Sequence, residues 1–393
     1  MDLSTPQQPR RGFAESEFAD RALRAQVLMT SAGIDAILLT TEPEVRYFSG
    51  FHTEFWESPT RPWFLLLPAA GKPIAVIPEI GVAGMRQTWV DDIRSWSAPN
   101  PADDGVSLLG GLLAETCTRH GRFSMPIGHE TSLRMPLADF QLLRERTRHI
   151  ELVDANPIVR ALRSIKSQAE IEKIRMACEL TSSGFQQLPV YASAGQTERQ
   201  ICQRFKRELL LLGADGSPYL IGASGYGGYD NIIMGPTDRQ IEQGDVLIID
   251  TGTTYDGYFC DFDRNFAFGE TTDAAKRAYE VVYHATDAGI DRARPGVTHA
   301  ELCEAMWRIL EQGGALGNAV GRLGHGLGMQ LTEGASNMQG DDTVLEPGMV
   351  ITIEPGMCFA PGKLMVHEEN IVIREGAAEL LTCRADPELP CIT

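Results

Sequence analysis

The run Val246-Leu247-Ile248-Ile249 is apolar enough to be a fully buried strand, yet it ends on a carboxylate, Asp250. The same conflict recurs where Met349-Val350-Ile351-Thr352-Ile353 runs into Glu354, and where Glu368 enters the strand-like stretch Asn370-Ile371-Val372-Ile373. An ionised carboxylate taken out of water costs several kcal/mol unless a cation or a set of donors neutralises it. A fold for this chain must therefore gather its buried acids around a counter-charge.

Turn chemistry supplies part of the gathering. Asp256-Gly257 accepts the positive φ angles of a tight hairpin turn and stands between two runs rich in β-branched and aromatic residues. Closing that hairpin carries a second acid, Asp261, toward Asp250 on the return strand. His325 lies in Gly324-His325-Gly326-Leu327-Gly328, where glycines allow close backbone approach and leave one imidazole face open. Glu354 precedes Pro355-Gly356, a strand running into a turn. Asp250, Asp261, His325, Glu354 and Glu368 are thus candidate metal ligands; such donors favour hard or borderline divalent ions, and carboxylates that bridge suit a pair of them.

In order and kind these residues resemble the metallopeptidase family of methionine aminopeptidase, aminopeptidase P, prolidase and creatinase. The segment Leu162-Arg163-Ser164-Ile165-Lys166-Ser167 is similar to the family's entry to the catalytic domain, and Val45-Arg46-Tyr47-Phe48-Ser49-Gly50-Phe51 to the N-terminal half of its aminopeptidase P branch. The resemblance implies an α+β chain, with an N-terminal creatinase-like α/β domain over residues 1–157 and a catalytic pita-bread domain over residues 158–393. It also implies a homodimer and two divalent ions, manganese by default with cobalt, zinc or iron as alternatives. The two ions would be bridged by Asp261 and Glu368 and supply a hydroxide to the scissile carbonyl, with Glu354 taking and passing on its proton.

Departures from the family pattern matter as much. By family spacing, Ile233 occupies the place of a substrate-facing His, Thr332 that of a second active-site His, and Val366 that of a common Arg. These changes spare the ligands but remove proton-transfer and anchoring groups, so leaving-group protonation falls to Glu354, Asp263, Tyr229 or a water, with Thr332 a further catalytic candidate. Asp263 stands where the family commonly has Thr, on the same strand face as Asp261; it reads equally as an extra acid beside the metals or as the ion-pair partner of Arg264 or Arg239. Tyr229 and Ile233 are expected to line the pocket. Trp56 and Arg61, in a segment dense in aromatics and prolines, are candidate substrate contacts from a partner subunit, buttressing an interface being the plainer reading.

The expected activity is that of an Xaa-Pro dipeptidase or aminopeptidase-like hydrolase. The alternatives are elimination on the same cage, as in the family's dimethylsulfoniopropionate-cleaving lyases, and hydrolysis of a small molecule's C–N bond. A metal-free binding module is disfavoured because the ligand set is complete.

A net charge of -18 without a Lys/Arg cluster makes nucleic acid and anionic membrane poor partners, leaving a small peptide or small molecule. The longest apolar runs are too short to span a bilayer, and the polar opening from Met1 to Gly12 reads as a loose arm, so cytoplasm is the simplest location. The cysteines lack zinc-site spacing and suggest mostly buried, reduced thiols, Cys260 among them in the core. His367, although next to Glu368, alternates away from the metals. Apolar periodicity predicts helices over residues 15–32, 105–118, 136–146, 168–188, 197–212, 273–293 and 298–312, with capping boxes at Thr197/Gln200 and Thr298/Glu301. Strands are predicted over 35–40, 63–67, 74–77 and 150–153 and near 126–128, with a domain boundary near 156–159 and helices covering one side of an antiparallel catalytic sheet.

Overall fold

The computed structural model describes residues 8–318 and 321–393, so most of the expected N-terminal arm lies outside the described residues. The chain forms two units, one of Arg10–Leu162 and one of Arg163–Thr393 together with Gln8 and Pro9. In the first unit β1 (Ala36–Leu39), β2 (Phe64–Pro68), β3 (Ile74–Pro78), β4 (Asp92–Trp96), β5 (Arg122–Met125) and β6 (Glu151–Asp154) make one sheet in the order β4-β3-β2-β1-β5-β6. Strand β1 pairs antiparallel with β2 and parallel with β5, which makes it central and explains why all four of its residues are apolar and buried. Leu109, Leu112 and Leu113 of the helix Val106–Thr116 pack over this sheet with Phe64 and Phe123.

Two expectations about this unit are corrected. The strand placed near residues 126–128 is β5, which stops at Met125 because Pro126 has no N–H for a ladder. The boundary placed near residues 156–159 falls inside a helix, Asn156–Ser164, since Pro157 in a first turn starts a helix as readily as it breaks one. Its apolar residues Ile158, Val159 and Leu162 are buried.

The second unit contains β7 (Gly216–Tyr226), β8 (Asp245–Tyr255), β9 (Tyr258–Phe259), β10 (Phe262–Phe268), β11 (Val350–Ile353), β12 (Gly356–Ala360), β13 (Lys363–Val366), β14 (Glu369–Val372), β15 (Glu379–Leu380) and β16 (Cys391–Ile392). They form a sheet in the order β16-β10-β8-β7 with β9 on β8, a three-stranded sheet β11-β14-β15 and a hairpin β12-β13. Ser167, Thr197 and Thr298 close capping boxes at the helices Gln168–Tyr191, Glu198–Leu212 and His299–Gln312. The helix Asp273–Arg292 packs with His299–Gln312 and against β11, β12 and β13, burying Ala278, Val282, Met306 and Leu310 with Ile351, Ile353 and Met365.

At the tip of the hairpin Asp256 and Gly257 adopt φ values of 49° and 79°, the pair that a type I′ turn demands. The return strand is broken at Cys260 and Asp261, which lie between β9 and β10. Cys260 is buried with its Sγ 3.3 Å from Thr181 Oγ1, whereas Cys383 and Cys391 are exposed and Cys303 and Cys358 half-buried, so the thiols are less uniformly interior than expected. The turn is tied to the helix Gln168–Tyr191 by a buried ion pair, Lys173 Nζ to Asp256 Oδ2 at 2.6 Å, and by the Tyr258 hydroxyl donating to Glu170 Oε1 at 2.9 Å. Removing one member of such a pair strands the other charge out of water. Lys173→Met should therefore cost about 3 kcal/mol in urea unfolding, and the double change Lys173→Met with Asp256→Asn markedly less than the sum of the singles.

Candidate metal centre

Register places the acids. Strands β8 and β10 pair so that Asp263 stands directly opposite Asp250, and the two-residue period puts Asp261, Asp263 and Asn265 on one face. The cross-strand neighbour of Asp250 is therefore Asp263, with Asp261 at the break just ahead. His325 comes from the long connection before β11, where its backbone N–H donates to Thr352 Oγ1 at 3.0 Å and its Nδ1 lies 3.0 Å from the Gly326 carbonyl. A carbonyl only accepts, so Nδ1 carries the proton and the lone pair is on Nε2, which faces Asp261 Oδ2 at 3.4 Å. The segment needs glycine at 324: φ there is +124° and a Cβ would overlap the Thr352 carbonyl.

Among the described residues, ligand atoms of Asp261, His325 and Glu368 all lie within 4.8 Å of one another. Glu354 leaves the end of β11, and Glu368 sits between β13 and β14. Exposure falls to 8% at Asp250, 4% at Asp261 and His325 and 2% at Glu368. Burial, reinforced by the neighbouring acids, holds the carboxyls of Asp250, Asp263, Glu354 and Glu368 well above the usual carboxylate range, and burial pushes Asp261 up to about 8. One oxygen each of Asp250, Asp261, Asp263 and Glu368 is buried without a hydrogen-bond partner. Carboxylate oxygens left unsatisfied at such depth, beside an imidazole whose tautomer is fixed, are what divalent cations require, so the residues present fit the metal pair expected from the sequence.

Several supporting side chains carry no signal in the sequence. Asn370 on β14 accepts from the Asp261 N–H at 2.9 Å and donates to the Asp261 carbonyl, replacing with one amide the strand partner that the break removes. Arg264 donates to the carbonyls of Asp263 (2.6 Å) and Glu368 (3.0 Å) and to Glu369 Oε2 (3.0 Å), joining β10 to β14. Tyr219 on β7 donates its hydroxyl to Asp250 Oδ2 at 3.1 Å. None is visible without the cross-strand register.

Other candidates sit differently from expectation. Asp263, 1% exposed, makes neither expected ion pair: the Arg264 guanidinium turns to carbonyls and Glu369, Arg239 pairs with Asp245 at 2.6 Å, and Asp263 Oδ1 accepts from Asn265 Nδ2 at 3.2 Å. Tyr229 is not an available acid, because its buried hydroxyl donates to Asn265 Oδ1 (3.0 Å) and accepts from the Val366 N–H (2.8 Å). Ile233 is 76% exposed on the connection between β7 and β8. Thr332 Oγ1 accepts from Arg322 Nη2 at 2.9 Å. Trp56 and Arg61 belong to the first unit, where Trp56 lies between Trp63 (6.3 Å) and the Arg134 guanidinium (5.0 Å), and Arg61 stacks over Phe55 (5.2 Å). His367 is buried against the rings of Tyr279 and Tyr283, and its Nε2 lies 2.9 Å from Arg384 Nη1, a setting that lowers its pKa through burial and two guanidinium charges.

Residues 172–375 match Metallopeptidase family M24, and residues 21–165 match the Creatinase/Prolidase N-terminal domain. The chain belongs to metallopeptidase family M24. As a family member it is a metallohydrolase with the pita-bread catalytic fold and a creatinase-type N-terminal domain. It is 30% identical over 387 residues to the probable dipeptidase PepE of Mycobacterium tuberculosis, covering 95% of this chain and 96% of that one. It is 28% identical over 356 residues to the Xaa-Pro dipeptidase of Pyrococcus horikoshii, with 90% and 94% covered. Among solved structures, the prolidase from Thermococcus sibiricus superposes with a TM-score of 0.86 at 25% identity over 97% of this chain and 100% of that one. The dipeptidase PepE from Mycobacterium ulcerans gives 0.83 at 26% identity over 97% and 99%.

The raised acids tie metal uptake and stability to pH. Asp261 titrates at about 8 in the metal-free fold and near about 4 when unfolded. Between these values the folded chain binds the extra proton, so stability of the metal-free protein falls as pH rises across that window. Chemical denaturation of chelator-treated protein at pH 5 and at pH 8 should show the loss, and calorimetry of metal binding at pH 7 in buffers of different ionisation enthalpy should show proton release. Asn370→Ala, which frees the Asp261 backbone, should weaken metal affinity by about 10- to 100-fold in the same titration.

Proposed function

We propose that this chain is a dinuclear metal-dependent peptidase of the Xaa-Pro dipeptidase or aminopeptidase type, acting on short peptides. The observation that carries this reading is the buried group of Asp261, His325 and Glu368 with unsatisfied carboxylate oxygens around it. Relatives that cover almost the whole chain and are named dipeptidase or Xaa-Pro dipeptidase support it. Asp250, Asp261, His325, Glu354 and Glu368 would hold the divalent ions, which when bound would supply an activated water and a Lewis acid for the scissile carbonyl.

The chain's own residues do the rest. Asp261 and Glu368 would be among the carboxylates that hold the ions, and Asn370 and Arg264 fix the backbone of each. Glu354 is the least buried of the ligand acids, and burial together with the charges of Asp250 and Asp261 raises its proton affinity, which suits a group that takes a proton from water and returns it to the leaving amine. Because the Tyr229 hydroxyl is already committed, proton delivery falls to Glu354, to Asp263 or to a water. Trp56 and Arg61 remain candidate substrate contacts in this reading. Manganese as the resident ion, a homodimer and a cytoplasmic location belong to it as well; among the described residues no helix is long and apolar enough to cross a membrane.

A second reading, elimination or hydrolysis of a small C–N bond, is favoured by one observation: the positions of the two usual histidines hold Thr332, bonded to Arg322, and Ile233, turned to solvent. Manganese-loaded protein should release proline from Xaa-Pro dipeptides and lose this activity to chelator. Glu354→Gln at saturating manganese should lower kcat by about 10³-fold, as expected for loss of a general base. Turnover of no dipeptide by fully metal-loaded protein would sink the peptidase reading.

A further inference from the structure

Asp263 is buried without an ion-pair partner for its carboxylate, and one of its oxygens is unaccounted for. Oδ1 accepts from Asn265 Nδ2 at 3.2 Å, and Asn265 is held in turn by the Val366 carbonyl at 2.7 Å and by the Tyr229 hydroxyl at 3.0 Å. These bonds tie down one side of the carboxyl group and leave Oδ2 with no hydrogen-bond partner among the described residues. Asp263 stands directly across the ladder from Asp250, so the two side chains share a face of the sheet and lie side by side. Asp250 has the same arrangement: Tyr219 donates to its Oδ2, and its Oδ1 is buried without a partner. A cation taken up by Asp250 through Oδ1 would be shared across the ladder with Asp263.

We propose that Asp263 is a sixth protein ligand of the metal centre, through Oδ2, and that this added carboxylate biases the centre toward ions that accept many oxygen donors, such as manganese, over zinc, which settles at four. The proposal rests on the dinuclear metal reading above and is independent of which bond is cleaved. The family commonly has Thr at this position, so the ligand is an addition made by this chain. A threonine hydroxyl is neutral, whereas a carboxylate brings a full charge to a hard ion. With Asp263 the centre holds five carboxylates, one more charge than two divalent ions neutralise. The excess is met from the other face of β10, where Arg264 Nη1 donates to the Asp263 carbonyl at 2.6 Å. The Asn265 and Tyr229 bonds hold the carboxyl group in place before an ion arrives, as the partners of metal ligands commonly do.

The test measures metal binding rather than turnover. Chelator-treated wild type, Asp263→Asn and Asp263→Thr are titrated calorimetrically with manganese and with zinc, and each metal-free protein is unfolded in urea. Asp263→Thr is expected to weaken manganese binding by about 100-fold, the upper end of what losing a group that merely orients a ligand costs, to weaken zinc less, and to change the EPR spectrum of bound manganese. Asp263→Asn, which keeps the shape and a carbonyl oxygen but not the charge, should fall between. The metal-free variants should be at least as stable as wild type, because a buried acid with an unsatisfied oxygen has been removed. Lower stability of both metal-free variants, with affinity kept or lost, assigns Asp263 a structural role and overturns the proposal. Affinity that survives in both variants also overturns it, as when Asp263 only shares a proton with Asp250. Wild type that binds no divalent ion overturns the proposal and the metal reading together. Two ions bound by wild type, with affinity lost in Asp263→Thr at unchanged stability, support the ligand even where no peptide is cleaved.

Discussion

The catalytic unit is organised around carboxylates held out of water. Asp250, Asp261, Asp263 and Glu368 lie on or beside strands whose other residues form the hydrophobic core, and each keeps an oxygen that no protein donor satisfies. Desolvation of this kind is relieved either by protonation or by cations shared among the acids. The antiparallel pairing of β8 with β10, the glycines around His325 and the strand ends at Glu354 and Glu368 all serve to bring these groups to one place.

Around the acids the structure spends backbone-directed hydrogen bonds rather than further charges. Asn370 substitutes for a missing strand partner at Asp261, Thr352 holds the His325 backbone, and the Arg264 guanidinium takes carbonyls from two strands at once. These contacts fix where the ligands stand without competing for the carboxylate oxygens that face the centre. Tyr219 is the exception, since it donates to a ligand carboxylate itself. A second layer of buried pairs, Lys173 with Asp256 and Glu333 with Arg163 and Lys166, anchors the hairpin turn and the loop that carries Thr332.

The substitutions that separate this chain from its family change the approach to the metals more than the metals' own site. Ile233 turns to solvent, Val366 is buried with its N–H bound to the Tyr229 hydroxyl, and Thr332 becomes an acceptor for Arg322. Neither a threonine nor an isoleucine titrates near neutral pH, so in the proposed mechanism proton transfer is left to the carboxyl groups or to water.

Local signals in the sequence determined a good deal. Asp256-Gly257 specified its turn because few other dipeptides accept two positive φ angles, and Thr197/Gln200 and Thr298/Glu301 specified helix starts because their bonds span only one turn of chain. The apolar runs ending in acids marked the segments of the candidate site. What the sequence could not decide was pairing. Whether Asp250 faces Asp261 or Asp263, whether Arg264 meets a side chain or a carbonyl, and that Asn370 belongs beside the centre at all depend on register and on contacts between residues far apart in the chain. A shift of one residue in a strand reverses the face of every side chain, so such choices are made by the packed tertiary structure and leave no mark in local sequence.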